Sequence, residues 1–192
     1  MKILIVLILG LFIKDDFSVF AGSKLSFESK KSEKKVTLQP MTAEGFKVFK
    51  ELWLERSTQN RMLNDLDDRD TTYKRAVHET GRILPYGIET PNNFLFDVVA
   101  EDTGKKIGTI WLMKQIEGPI PSLFLFDVYI FEEFQNQGYG TNLLKVYEQK
   151  ARDMGAKKLR LHVFAKNERA RKLYTREGFF LTGYNMSKNL TK

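Results

Sequence analysis

The stretch Gln135-Asn136-Gln137-Gly138-Tyr139-Gly140-Thr141 has the residue types and spacing to hold an anion. Two glycines two positions apart let a backbone turn sharply and come close to a ligand with no side chain in between. Leu144, Tyr147, Ala151 and Met154 follow on one helical face, so the turn opens a helix. The first N–H groups of a helix lack an intrahelical acceptor, and the macrodipole adds roughly half a positive charge there. Bare amides in that field suit a pyrophosphate. A tight strand-to-helix turn without a ligand is the plainer reading of the same residues. Two richer phosphate motifs do not fit. A dinucleotide fingerprint wants a third glycine where Leu143 stands, and a Walker loop wants a lysine directly after Gly140, where Thr141 stands.

A second constellation lies downstream. Asn167 suits a helix N-cap, and Ala170, Leu173 and Tyr174 recur at i, i+3 and i+4 on one face, ahead of Gly178-Phe179. Alone, Tyr174 reads as a core aromatic. Paired with the glycine loop, it becomes a candidate functional group.

Composition narrows the chemistry. The 192 residues fit one domain, and 42% hydrophobic content with 15 Phe supplies a core. Cysteine is absent, which excludes a disulfide framework, a zinc finger, an iron–sulfur cluster and a Cys nucleophile. His78 and His162 are the two histidines, and neither sits near a promising serine. No metal is therefore expected. Lys and Arg (31) exceed Asp and Glu (24) by seven, an excess that suits a small polyanion. No dense basic patch with paired aromatics is seen, so no nucleic-acid partner is expected.

The elements that must position these residues follow from periodicity. Val36-Thr37-Leu38 reads as a strand ended by Pro40, and Thr42 as the N-cap of a helix whose face is Phe46, Phe49 and Trp53, running to about Gln59. Asn64 to Arg69 reads as a polar connection, and Asp70 to Arg82 as a second amphipathic helix. Strands are expected at Phe94 to Ala100, Ile107 to Met113, and Leu123 to Ile130, the last buried on both faces. After the helix opened by the glycine loop come a strand (Leu159 to Phe164), a helix (Glu168 to Glu177) and a final pair of short strands from Phe179, broken at Gly183. The expected class is α+β: a mixed, mostly antiparallel sheet with a parallel central strand pair and helices on both faces.

At this point the sequence resembles the GNAT family of N-acetyltransferases. Gln135-x-x-Gly138-x-Gly140 is similar to its acetyl-CoA signature, and Asn167…Ala170…Leu173-Tyr174…Gly178-Phe179 to its C-terminal motif. Asp127-Val128-Tyr129-Ile130 falls where the family's splayed fourth strand ends. The resemblance spans about Val36 to Leu190 and departs at Gln135, where arginine is commoner.

The resemblance implies direct acetyl transfer from acetyl-CoA to an amine through a ternary complex. Backbone groups of Val128, Tyr129 and Ile130 would hold the pantetheine arm like an added strand. The N–H groups of Gln137, Gly138, Tyr139, Gly140 and Thr141, within the loop that starts at Gln135 and Asn136, would hold the pyrophosphate, and Asn167 would touch the pantetheine side. Tyr174 would protonate the leaving thiolate. Asp127, Glu132 and Glu133 are the nearby carboxylates for deprotonating the amine, with Asp127 preferred. The alternative is a non-catalytic acyl-CoA-binding or interaction module on the same fold. The acceptor is expected to be a small-molecule or peptide amine, in a pocket near Leu63 to Asp70 where Asp65, Asp67 and Asp68 could attract a cation. Either a monomer or a homodimer is compatible with the sequence.

Residues 1–35 fall outside the family pattern, and the domain is expected to cover 36–192. Ile3 to Ile13 is an apolar run of eleven residues, shorter than the roughly 20 needed to span a bilayer. It reads either as an export signal or short membrane anchor, with Val19-Phe20-Ala21 before Gly22 as a cleavage site, or as an apolar extension without targeting value. Acetyl-CoA is made in the cytosol, so the catalytic domain is expected to be cytoplasmic.

Overall fold

A computed structural model describes residues 34–65, 68–115, 120–188 and 190. Five strands form one sheet in chain order: β1 (Val36–Pro40), β2 (Asn93–Ala100), β3 (Lys106–Gln115), β4 (Ser122–Ile130) and β5 (Lys158–Leu161). β1 to β4 are antiparallel neighbours, and β5 joins β4 in parallel at the sheet edge. Four helices complete the architecture: α1 (Ala43–Asp65), α2 (Arg69–Ile83), α3 (Tyr139–Asp153) and α4 (Glu168–Arg176). The expected α+β class with helices on both faces is what forms.

Alternation along β2 and β3 sends side chains to two cores. On one face Val98, Ile107, Ile110 and Leu112, with Leu123 and Leu125 of β4, meet Leu143, Leu144, Tyr147 and Ala151 of α3. On the other, Leu95 and Trp111 meet Phe49, Trp53 and Leu54 of α1 and Ala76 of α2. Trp111 anchors this second core by packing edge-on to Phe49 and Trp53, with its indole N–H donated to Asn93 Oδ1 at 2.8 Å. The Tyr147 hydroxyl, buried in the first core, donates to Leu123 O at 2.7 Å and ties α3 to β4.

Five departures from the sequence reading have physical causes. α1 runs past Gln59 to Asp65 because residues 60–65 hold no Gly or Pro, and Arg61 pairs with Glu79 of α2. α2 begins at Arg69 because Asp68 is its cap, accepting from Thr71 N at 2.9 Å. β4 is not buried on both faces: Ser122 to Leu125 are mostly buried, but Phe126 to Ile130 are only half covered. β5 stops at Leu161, not Phe164, and residues 179–188 form no strand. A four-residue β5 offers too short a ladder, and Phe180, Leu181, Tyr184 and Met186 remain exposed. The apolar run 3–13, the cleavage site expected at 19–22, Asp67 and the side chain of Asp65 lie outside the described residues.

Candidate active site

The site begins with a strand that loses its neighbour. β4 pairs with β5 only from Ser122–Leu125 to Lys158–Leu161, while β4 itself continues to Ile130 against β3. From Phe126 onward β4 therefore has a ladder partner on one side alone. A polar backbone edge cannot remain unpaired in a dry environment, so this wedge is a place for water or an extended ligand. A β-bulge sits at its mouth: Trp111 opposes Asp127 and Leu112 opposes Leu125, leaving Phe126 as the extra residue. A bulge re-aims side chains. Here Phe126 packs on Trp53 of α1 while the adjacent Asp127 also reaches α1.

The residue Asp127 meets is Arg56. Its Nη2 donates to Asp127 Oδ2 at 2.8 Å, and its guanidinium lies 4.1 Å from the centre of the Tyr129 ring. Trp53 and Arg56 are three apart on α1, so the helix face that builds the aromatic core also delivers this cation. Burial pushes the Asp127 carboxyl above its ordinary value, and the Arg56 charge and hydrogen bond pull it partly back. The carboxylate is held through one oxygen in a largely dry setting.

Tyr174 approaches from α4. Its pKa is pushed up to about 12, first by burial and then by the charge of Asp127, so the two groups face one electrostatic environment. The end of α4 explains how Tyr174 is fixed. Gly178 takes φ +87°, Gly178 N donates to Thr175 O, and Phe179 N donates to Tyr174 O at 2.9 Å, a Schellman cap. That cap folds Phe179 back edge-on to the Tyr174 ring, 5.7 Å between centres. The Tyr174…Gly178-Phe179 spacing is thus a clamp on the tyrosine.

The glycine loop closes the other end of the wedge. Gly138 caps α3 at φ +97° with no side chain capping the helix, and a Cβ placed there would meet nothing within 4 Å. Gly138 therefore borders open space at the mouth of α3, and no side chain caps the amides that follow it. Gln135 donates from Nε2 to Ile130 O at 2.8 Å and accepts at Oε1 from Arg169 Nη1 at 2.9 Å. Thr141 Oγ1 accepts from Arg176 Nη2 at 2.7 Å. Lys166, before α4, donates to the carbonyl of Leu63 and links the loop after β5 to the end of α1.

Comparison with known proteins identifies the family. The sequence profile described as Acetyltransferase (GNAT) family matches residues 58–179, well over half the chain. The chain belongs to the GNAT family. Among relatives of this GNAT protein is YdgE of Bacillus subtilis (strain 168), named an uncharacterized N-acetyltransferase. It is 27% identical over 154 residues, covering 80% of this chain and 98% of YdgE. YycN of the same organism, likewise named an uncharacterized N-acetyltransferase, is 39% identical over 108 residues, 56% of this chain and 69% of YycN. The crystal structure of YycN superimposes with a TM-score of 0.77 over 82% of this chain and all of that one. AAC(6')-Iy, solved in complex with the bisubstrate analogue CoA-S-monomethyl-acetylneamine, shares the fold at 14% identity and TM-score 0.51, covering 82% of this chain and 99% of its own. The protein is an acetyltransferase, so the non-catalytic reading is set aside.

Within this GNAT scaffold the residues singled out from sequence fall into four groups. Val128, Tyr129 and Ile130 stand on the half-open stretch of β4, and Asp127 and Tyr174 flank it. Asn136, Gln137, Gly138, Tyr139, Gly140 and Thr141 form the turn and first residues of α3; Tyr139 contributes backbone only, since its ring is in the core. Three are otherwise engaged. Asn167 accepts from Ala170 N at 3.1 Å as the cap of α4, and Gln135 bridges β4 to α4. Asp68 is the cap of α2. Glu132 and Glu133 occupy an exposed 3₁₀ turn. Arg56 was missed by sequence reasoning, because an arginine on an amphipathic helix carries no signal until the sheet opposite is known. Among the described residues no helix is long and apolar enough to cross a membrane.

Proposed function

We propose that this enzyme moves an acetyl group from acetyl-CoA directly to an amine in a ternary complex. The observation that carries the reading is the wedge after Leu125 and Leu161, with bare helix amides at one end and Asp127 and Tyr174 on its flanks. Val128, Tyr129 and Ile130 would pair with the pantetheine amides as a missing strand would. The N–H groups from Gln137 to Thr141 would bind the diphosphate. A backbone N–H beside the bulge would polarise the thioester carbonyl.

Two proton transfers complete the reaction. An amine acceptor is mostly an ammonium near pH 7 and must lose a proton before it attacks. Asp127 is the base, presenting Oδ1 while Arg56 holds Oδ2, so Arg56 is a positioning residue. Tyr174 stays protonated across the working range and donates to the departing thiolate. The acceptor is a small-molecule or peptide amine, in line with the acetylneamine portion of the analogue bound by AAC(6')-Iy. A thiol-release assay with acetyl-CoA over a panel of amines tests the proposal, and intersecting initial-velocity lines are the expected pattern. Parallel lines would replace direct transfer with a covalent enzyme intermediate, and absence of CoA binding would remove the assignment altogether.

A further inference from the structure

We propose that Arg169 and Arg176 of α4 form a two-guanidinium clamp over the diphosphate of the acyl-CoA substrate, taking the role of the arginine that this chain lacks at position 135. The inference rests on the reading of the glycine loop as the acyl-CoA site.

Gln135 makes the substitution workable. Its amide donates to Ile130 O and accepts from Arg169, and only one orientation of the amide satisfies both. An arginine at 135 could still donate to Ile130 O, but it has no acceptor and could not receive a second guanidinium. The glutamine therefore gives up a charge of its own and fixes one from the neighbouring helix. Arg176 lies seven residues beyond Arg169, two helical turns along the same face. It donates to the Thr141 hydroxyl in the first turn of α3, so the two cations bracket the uncapped N-terminus of that helix.

Both arginines are exposed, and each spends only part of its five N–H donors on these anchors. Arg176 also donates Nε to Glu177 at 3.1 Å, whereas Arg169 has no carboxylate partner among the described residues. The mutual position of the two helices is set by packing, since Leu173 of α4 rests against Gly140 of α3. An open concavity of about 510 Å³ along α4, bounded by Glu168, Arg171, Lys172 and Thr175, shares Arg176. This makes the 3′-phosphate of CoA the competing ligand for the same cations.

Isothermal titration with CoA and with 3′-dephospho-CoA separates these cases. Arg169→Gln and Arg176→Gln should each weaken both ligands by about five- to ten-fold, as expected for losing a charge-assisted contact at an exposed site. The loss should shrink as salt is raised. Adding Gln135→Arg to Arg169→Gln should restore affinity to within about three-fold of the native protein, which a purely structural role for Arg169 would not allow. Unchanged dissociation constants in both single variants overturn the clamp. A loss seen with CoA but absent with 3′-dephospho-CoA also overturns it, by moving the arginines to the 3′-phosphate. If the native protein binds neither nucleotide, the acyl-CoA reading itself fails, a result distinct from either.

Discussion

Replacing Tyr174 with phenylalanine removes one oxygen and leaves the ring that Phe179 clamps at 5.7 Å. The hydroxyl has no protein hydrogen-bond partner among the described residues, so its loss strands no buried group. Unfolding free energy should stay within about 0.5 kcal/mol of the native value. The catalytic effect should be far larger. With a pKa of about 12, roughly one molecule in ten thousand carries the phenolate at pH 8, so the group acts as a donor and not as a base. General acids contribute on the order of 10²- to 10⁴-fold, least when their pKa lies far from the working pH. About a hundred-fold fall in kcat follows, equivalent to about 2.7 kcal/mol in the barrier. The KM for acetyl-CoA should move less than about two-fold, since none of the groups proposed to bind the cofactor is the Tyr174 hydroxyl. Steady-state kinetics together with a thermal melt reads all three quantities. A kcat equal to that of the native enzyme, in a variant with unchanged stability, would refute the proton-donor role.

The same tyrosine bears on alkaline stability. Its pKa is raised on folding, so the stability linked to it is full below about pH 10 and is lost as pH rises through about 12; melts from pH 8 to 12 should show a shallower decline in Tyr174→Phe. Arg56→Met removes the charge and hydrogen bond that draw the Asp127 carboxyl down, leaving burial, which raises it. The acidic limb of the kcat/KM profile should therefore move to higher pH; an unmoved limb would exclude Asp127 as the base. Gly138→Ala places a Cβ in open space but at φ +97°, so it should cost about 1–2 kcal/mol of stability through backbone strain alone, seen by urea denaturation. Gly138→Val adds bulk beside the diphosphate, and a CoA dissociation constant equal to the native one would discredit the loop assignment. Tyr147→Phe leaves Leu123 O without its 2.7 Å donor in the core and should lower unfolding free energy by about 1–2 kcal/mol, again by denaturant titration.

The chain by itself determined the parts that depend on local rules. Hydrophobic period placed the four helices and the first five strands, most ends within about three residues, because each must bury one face; it failed for the strand pair expected from Phe179, which does not form. Thr42 and Asn167 were recognisable as caps, and both accept the expected backbone N–H. The glycine loop and the Tyr174 segment were legible because fixed spacing there reflects a turn and a helix face. Tertiary structure decided what distance and burial decide. Only the register of β3 on β4 reveals the bulge at Phe126, and only the short pairing of β5 opens the wedge. The apolar run Leu123 to Ile130 concealed that opening, since composition along one strand carries no information about whether a neighbour stops. The partnership of Asp127 with Arg56 spans 71 residues, and those of Gln135 with Arg169 and Thr141 with Arg176 span 34 and 35. Such contacts depend on how separate elements pack, a property no local pattern encodes.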